Sequence, residues 1–162
     1  MNGTIERVHV KNEKRGERGI PKVSVPSAEV VTAGVVGDFN RYRTKDKGGD
    51  LDMAVLLLPA EVLEALRGEG WPVEPGHLGE NFLTRGLPND AFAVGQRYRL
   101  GTDVELQISR VCDPCSNLRV LPYVGREKLK EFLKATLGRR GFYARVRAPG
   151  VVRTGDPIAL QR

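Results

Sequence analysis

A mainly β domain, its antiparallel strands closed into a barrel-like sheet with two or more helices at the periphery, is the fold class this sequence predicts. Three observations carry the prediction. Nineteen glycines and 10 prolines cut the 162 residues into short segments. Most of those segments are β-branched or alternate apolar with polar residues, and only two stretches repeat apolar residues at helical spacing. Strands do not alternate regularly with helices, which argues against a doubly wound α/β fold. The length suits one domain over 1–162, able to bury roughly 70% of its unfolded surface. Such a core needs neither disulfides nor a structural metal, so the two cysteines are free for another use.

The elements follow in order. Ile5 to Val10 reads as a first strand, and Lys11 to Gly19 as a charged, exposed turn. Ala28 to Thr32 and Gly34 to Val36 are rich in β-branched residues and lead into Gly37-Asp38. Phe39 to Asp52 is polar and basic, a long surface loop with Lys47-Gly48-Gly49 at its centre; long loops in compact domains are often functional. Ala54 to Leu58 is a buried strand, and Pro59 stands where helices like to begin. Val62, Leu63 and Leu66 then form a short apolar stripe ending at Gly68.

Pro72 to Gly79 is a loop, Asn81 to Thr84 a short strand, and Gly86 to Asp90 a turn. Tyr98 and Leu100, the turn Gly101 to Asp103, and Val104, Leu106 and Ile108 alternating with polar residues predict a hairpin with one wet face. Leu129, Phe132, Leu133 and Leu137 predict a second helix stopped by Gly138. Phe142 to Arg147, Val151-Val152 and Pro157 to Leu160 close the chain as strands.

Composition excludes collagen-like, coiled-coil, disulfide-rich and disordered classes. No apolar run approaches the ~20 residues of a membrane helix, and the N-terminus has no signal-peptide apolar core, so a cytoplasmic protein with reduced thiols is expected. The net charge of +6 is unevenly spread: +3 over 1–50, −4 over 51–110 and +7 over 111–162. The basic last third also holds both cysteines. Such a region serves nucleic acid, an anionic surface or a phosphorylated ligand equally well.

Cys112-Asp113-Pro114-Cys115 is the one place where two reactive groups are held close together in sequence. Four readings stay open: a thioredoxin-like dithiol, which should open a helix although Pro122 follows; half a zinc site, for which only His9 and His77 remain as partners; a structural turn; or one functional thiolate with a resolving neighbour. His77 sits in a loop beside Glu80 and Asn81, whose ordinary role there is turn stabilisation. Lys47-Gly48-Gly49 lacks the rest of a P-loop, but its glycines let backbone N–H groups approach a phosphate and Lys47 adds charge.

Taken together in chain order, Gly37-Asp38, Lys47-Gly48-Gly49 with Ala54-Val55, Pro75-Gly76-His77-Leu78-Gly79-Glu80-Asn81-Phe82 with Gly86-Leu87, Gly95, Pro114-Cys115, Gly141 to Val146, Gly150 and Gly155-Asp156 resemble the MOSC domain, a family named for the C-terminal domain of molybdenum cofactor sulfurase that also occurs as small standalone bacterial proteins. The resemblance spans nearly the whole chain. It implies a barrel-like β fold and one family cysteine, Cys115, that either carries sulfur as a persulfide or ligates the metal of bound molybdenum cofactor (molybdopterin). Arg110, Arg119 and the basic last third would supply positive charge to that thiolate. Lys47, Gly48, Gly49, Asn81 and Arg145 are the expected contacts for the pterin and its phosphate.

Two departures stand out. Many relatives have His where this chain has Lys47, and Cys112 is not a family position; it would resolve an oxidised Cys115 or be inert. Pyridoxal phosphate would enter only through a partner desulfurase, because the chain has no room for that domain. The leading functional reading is therefore cofactor binding, sulfur carriage, or both. A molybdenum-dependent oxidoreductase of N-hydroxylated compounds is the alternative; with no flavin or iron–sulfur pattern in the chain, it would need a partner reductase. A nucleic-acid-binding barrel is the rival from another class, opposed by a count of only 10 aromatic residues for base stacking.

Overall fold

A computed structural model describes residues 1–12, 14–16, 18–40 and 48–162. Lys47 lies outside these. The described chain forms 11 strands and two α-helices: β1 (Asn2–Val10), β2 (Val23–Val25), β3 (Ser27–Val31), β4 (Gly34–Val35), β5 (Val55–Pro59), α1 (Ala60–Gly68), β6 (Phe82–Arg85), β7 (Arg97–Leu100), β8 (Val104–Val111), α2 (Leu129–Thr136), β9 (Phe142–Ala148), β10 (Gly150–Arg153) and β11 (Pro157–Leu160). Seven strands close a barrel in the order β11-β7-β8-β9-β5-β6-β1, sealed by the β1–β11 pairing, with β2 extending β1; β10, β3 and β4 form a separate small sheet. Closure removes the unpaired edges that an open sheet of short strands would present.

One pairing departs from the expected antiparallel barrel. β5 and β6 run parallel, with Leu57 opposite Phe82, because α1 lies between them in the chain and carries it back across the barrel wall. β5 is buried along its whole length. Its Val55 and Leu57 point into the barrel interior with Ile5, Phe82, Tyr98, Leu106 and Phe142. Leu58 joins a second core beneath α1 and α2, with Leu63, Leu66, Leu118 and Phe132. Burial on both faces is why this strand reads as a continuous apolar run rather than an alternation.

The hairpin is as expected, β7 pairing β8 from Arg97↔Gln107 to Leu100↔Val104. β2 carries no periodic signal because it is a three-residue edge. Leu137, expected on the core stripe of α2, is 65% exposed. The helix has ended at Thr136, and Leu137 takes an extended conformation, φ −59° and ψ 125°, so its side chain leaves the helical period.

Gly141 enters β9 at φ +97°, and a Cβ there would run into the Leu57 carbonyl oxygen on β5. Both backbone conformation and close approach demand glycine. Gly141→Ala is expected to cost at least ~2 kcal/mol, read as a lowered urea midpoint. Gly68→Ala, at a helix end with open space around it, should leave the midpoint unchanged or raise it.

Candidate active site

The functional side chains gather where β1 and β8 finish and β6 and β9 begin. There the strand ends and their loops enclose a cavity of about 240 Å³ lined by residues from Arg18 to Tyr143. Cys115 reaches it from the turn after β8. That turn is anchored on β9 by the Cys112 N–H donating to the Gly141 carbonyl at 2.8 Å, and Cys115 opens the five-residue 3-10 turn Ser116–Val120. This is too short and too tight to be the helix a thioredoxin-like dithiol would open.

The residue closest to Cys115 chemically is Arg140. Its Nη1 donates to Cys115 Sγ at 3.1 Å and its Nε to the Leu78 carbonyl at 3.3 Å. Arg140 is only 7% exposed, so a permanent cation is held against the sulfur and turned inward. A guanidinium in this position offsets negative charge on sulfur. Cys112 sits behind, 1% exposed, packed on Met53, Leu56 and Tyr143. Burial pushes its thiol pKa up. Tyr143 lines the cavity, and its hydroxyl hydrogen-bonds with Cys112 and Asn40; burial raises its pKa as well.

Three further cations line the cavity: Arg18, Lys22 and Arg110. Lys22 is committed to Asp38, Nζ to Oδ1 at 2.6 Å and Oδ2 at 2.7 Å. Arg110 pairs with Asp50 at 2.7 Å and lies 6.0 Å from the Tyr143 ring centre. Arg18 donates to Asn117 Oδ1 at 2.8 Å, tying the loop before β2 to the turn after Cys115. Among the described residues, Arg18 and Arg140 have no carboxylate at salt-bridge distance, so these two keep their charge available to an anion.

Beneath the cavity floor lies a polar layer. Asn81 donates Nδ2 to Asp38 Oδ2 at 2.9 Å and accepts the Leu56 N–H at 3.0 Å, so it fixes β5, β6 and the Gly37-Asp38 turn together. Glu80, fully buried, accepts from the Gly76 N–H, and its Oε1 lies 3.7 Å from His9 Nδ1. Burial pushes the Glu80 carboxyl up to about 7 and the His9 imidazole down to about 4. His77 stacks on Tyr123, with Nδ1 2.9 Å from the hydroxyl, and does not line the cavity.

Of the residues singled out from sequence, Cys115 lines the cavity directly. Asn81 supports it from below, and Arg110 joins it. Gly48 and Gly49 both adopt positive φ two residues or fewer before Asp50, the partner of Arg110. Arg145 lies elsewhere: it pairs with Asp52 and lines a shallow recess with Thr32, Leu51 and Arg147. Arg119 is half-buried and does not line the cavity. The basic last third is dispersed rather than gathered, since Arg139 is engaged by Glu69 at 2.6 Å, Arg145 by Asp52, and Arg140 points inward. Sequence reasoning missed Arg18, Lys22, Arg140 and Tyr143. Arg140 and Tyr143 flank the predicted strand start at Phe142; nothing local marks Arg18 or Lys22.

Comparison with known proteins agrees with this architecture. The family model for the MOSC domain matches residues 42–159. The chain belongs to the MOSC domain family. This MOSC domain is similar in structure to the YUAD protein of Bacillus subtilis, TM-score 0.77 at 20% identity, covering 98% of this chain and 94% of that one. It is likewise similar to YiiM of Geobacillus stearothermophilus, TM-score 0.74 at 28% identity, covering 99% and 75%. In sequence it is 35% identical over 134 residues to a protein named reductase from Gibberella moniliformis, a match covering 78% of this chain and 22% of that relative. The chain thus spans about a fifth of the curated relative it matches. The MOSC domain is associated with the molybdenum cofactor, and no helix among the described residues is long and apolar enough to cross a membrane.

Proposed function

We propose that this MOSC domain binds the molybdenum cofactor in the Cys115 cavity, with the Cys115 sulfur as a metal ligand. The observation that carries the reading is the Cys115 sulfur facing the cavity with the buried Arg140 guanidinium 3.1 Å away. The donor set fits the group: a soft sulfur suits a molybdenum centre, and Arg18 and Arg140, the cavity cations without a carboxylate partner among the described residues, suit an anionic phosphate. Asn40 and Asn117 add polar groups along the same wall. Lys47, Gly48 and Gly49 remain proposed phosphate contacts.

When bound, the group supplies a two-electron redox centre. The chain's own residues do the rest. Arg140 orients the Cys115 sulfur and compensates its charge; Tyr143, kept protonated by burial, offers a hydroxyl at the cavity wall; and Arg18, strapped to Asn117, narrows the mouth. Reduction of N-hydroxylated compounds, with electrons from a partner reductase, is the activity we infer for the loaded domain; the name of the Gibberella relative, reductase, favours it. Persulfide carriage on Cys115 is the second reading, supported by the same accessible sulfur, and would require a sulfur donor protein. We place the protein in the cytoplasm, the compartment that keeps both cysteines reduced.

The test is metal and pterin analysis of protein made in a cofactor-competent host, beside Cys115→Ser. Near-stoichiometric molybdenum in the parent and at least a tenfold loss in the variant are expected. A mass gain of about 32 Da on Cys115, one sulfur, would instead favour carriage. Absence of metal, pterin and added sulfur overturns both readings.

A further inference from the structure

Cys112 has no part in the cofactor ligation proposed above, yet it stands on the same turn as Cys115, three residues before it. The two thiols act electrostatically on each other and on the same Arg140 guanidinium. They differ sharply in access: Cys115 is half-buried and lines the cavity, whereas Cys112 is 1% exposed behind it. Both are free thiols in the structure. We propose that Cys112 and Cys115 form a thiol lock on the cavity: a hydroperoxide oxidises Cys115, and Cys112 captures it as an intramolecular disulfide that withdraws the sulfur from metal ligation.

The chemistry divides into two balanced steps. The Cys115 sulfur attacks the terminal oxygen of the hydroperoxide; an S–O bond forms, the O–O bond breaks, and the departing oxygen leaves as water or alcohol with the thiol proton. Cys115 is now a sulfenic acid and the peroxide has been reduced by two electrons. The Cys112 sulfur then attacks the Cys115 sulfur; an S–S bond forms, the S–O bond breaks, and hydroxide leaves with the Cys112 proton as water.

The geometry assigns the order of the two residues. Only Cys115 meets a molecule entering the cavity, and Arg140 beside it offsets charge on the departing oxygen. Cys112 needs no access to solvent, because its target is on the same turn three residues away, with Pro114 restricting the chain between them. Without a neighbouring thiol, a sulfenic acid proceeds to sulfinic acid, which dithiol reductants do not reverse. The lock thus protects the residue on which the proposed cofactor site depends, and only its consequence for metal binding rests on that reading.

Purified protein treated with a few equivalents of hydrogen peroxide and read by intact mass tests the lock. The parent should lose about 2 Da, two hydrogens, become unreactive to iodoacetamide at both cysteines when alkylated after unfolding, and recover fully with dithiothreitol. Cys112→Ser should instead gain about 16 and then about 32 Da, one and two oxygens, the second not reversed by dithiothreitol. Identical oxygen adducts in parent and variant, no reaction in either, or a disulfide between two chains each overturn the proposal. A disulfide in protein holding neither molybdenum nor pterin leaves the lock standing and removes the cofactor reading; a loaded protein that forms no disulfide does the converse.

Discussion

Lys22→Met is expected to lower stability by about 3–5 kcal/mol, the usual cost of removing one partner from a buried ion pair. Both side chains are nearly inaccessible, 3% for Lys22 and 1% for Asp38. Losing the ammonium leaves the Asp38 carboxylate, among the described residues, to the Lys11 N–H at 2.9 Å and the Asn81 amide at 2.9 Å. For a chain of this size the change amounts to a fall in melting temperature of about 10 °C. Adding Asp38→Asn should recover most of it, because the neutral amide no longer needs a cation. Arg67→Ala, which breaks the exposed pair with Glu74, should cost less than ~1 kcal/mol. A Lys22→Met protein melting within about 2 °C of the parent would show that the pair does not hold this end of the barrel together.

Glu80→Gln should make a protein with little pH dependence acid-sensitive. In the folded chain Glu80 titrates at about 7 and His9 at about 4, against ordinary values of 4.5 and 6.5. Between pH 4.5 and 6.5 the folded protein keeps its proton on Glu80 and leaves His9 neutral, while the unfolded chain protonates His9 and ionises Glu80. Each state holds one proton on the pair, so the stability slope from these two groups is close to zero. With Glu80 replaced, only the depressed His9 remains. Its contribution is fully present above pH 6.5 and is lost as pH falls towards 4, a change of roughly 3 kcal/mol.

His9→Gln should show the opposite slope. The raised Glu80 then acts alone, with stability greatest below pH 4.5 and lost as pH rises through 7. Urea midpoints measured from pH 4 to 8 on the three proteins decide the matter. Parallel curves for all three would show that the proton is not exchanged between these residues on folding.

Much of the barrel is legible in residue order. The alternation from Arg97 to Val111, the β-branched pairs near Val30 and Val35, and the closing strand Pro157–Leu160 all signal themselves locally, because a strand with one buried face repeats every two residues. Cys115 is also legible, through its turn and its place in the ordered motifs. Less legible is the direction of β6, since a short apolar segment looks the same in parallel and antiparallel pairings; α1 between β5 and β6 was the available clue. Arg145 carries the charge a phosphate needs, but charge in the sequence says nothing about which neighbour will engage it. Asp52 does.

Local side-chain periodicity is therefore enough to predict a mainly β barrel with two peripheral helices, and the resemblance to the MOSC domain singles out one cysteine. Which cations face that cysteine was settled by folding. Arg18 and Lys22, Arg110, and Arg140 come from three separated parts of the chain, and their availability depends on carboxylates elsewhere in it: Asp38 engages Lys22 and Asp50 engages Arg110, while Arg140 is left with the sulfur. A cation's partner is a property of three-dimensional distance and burial, and those quantities exist only once the barrel has closed.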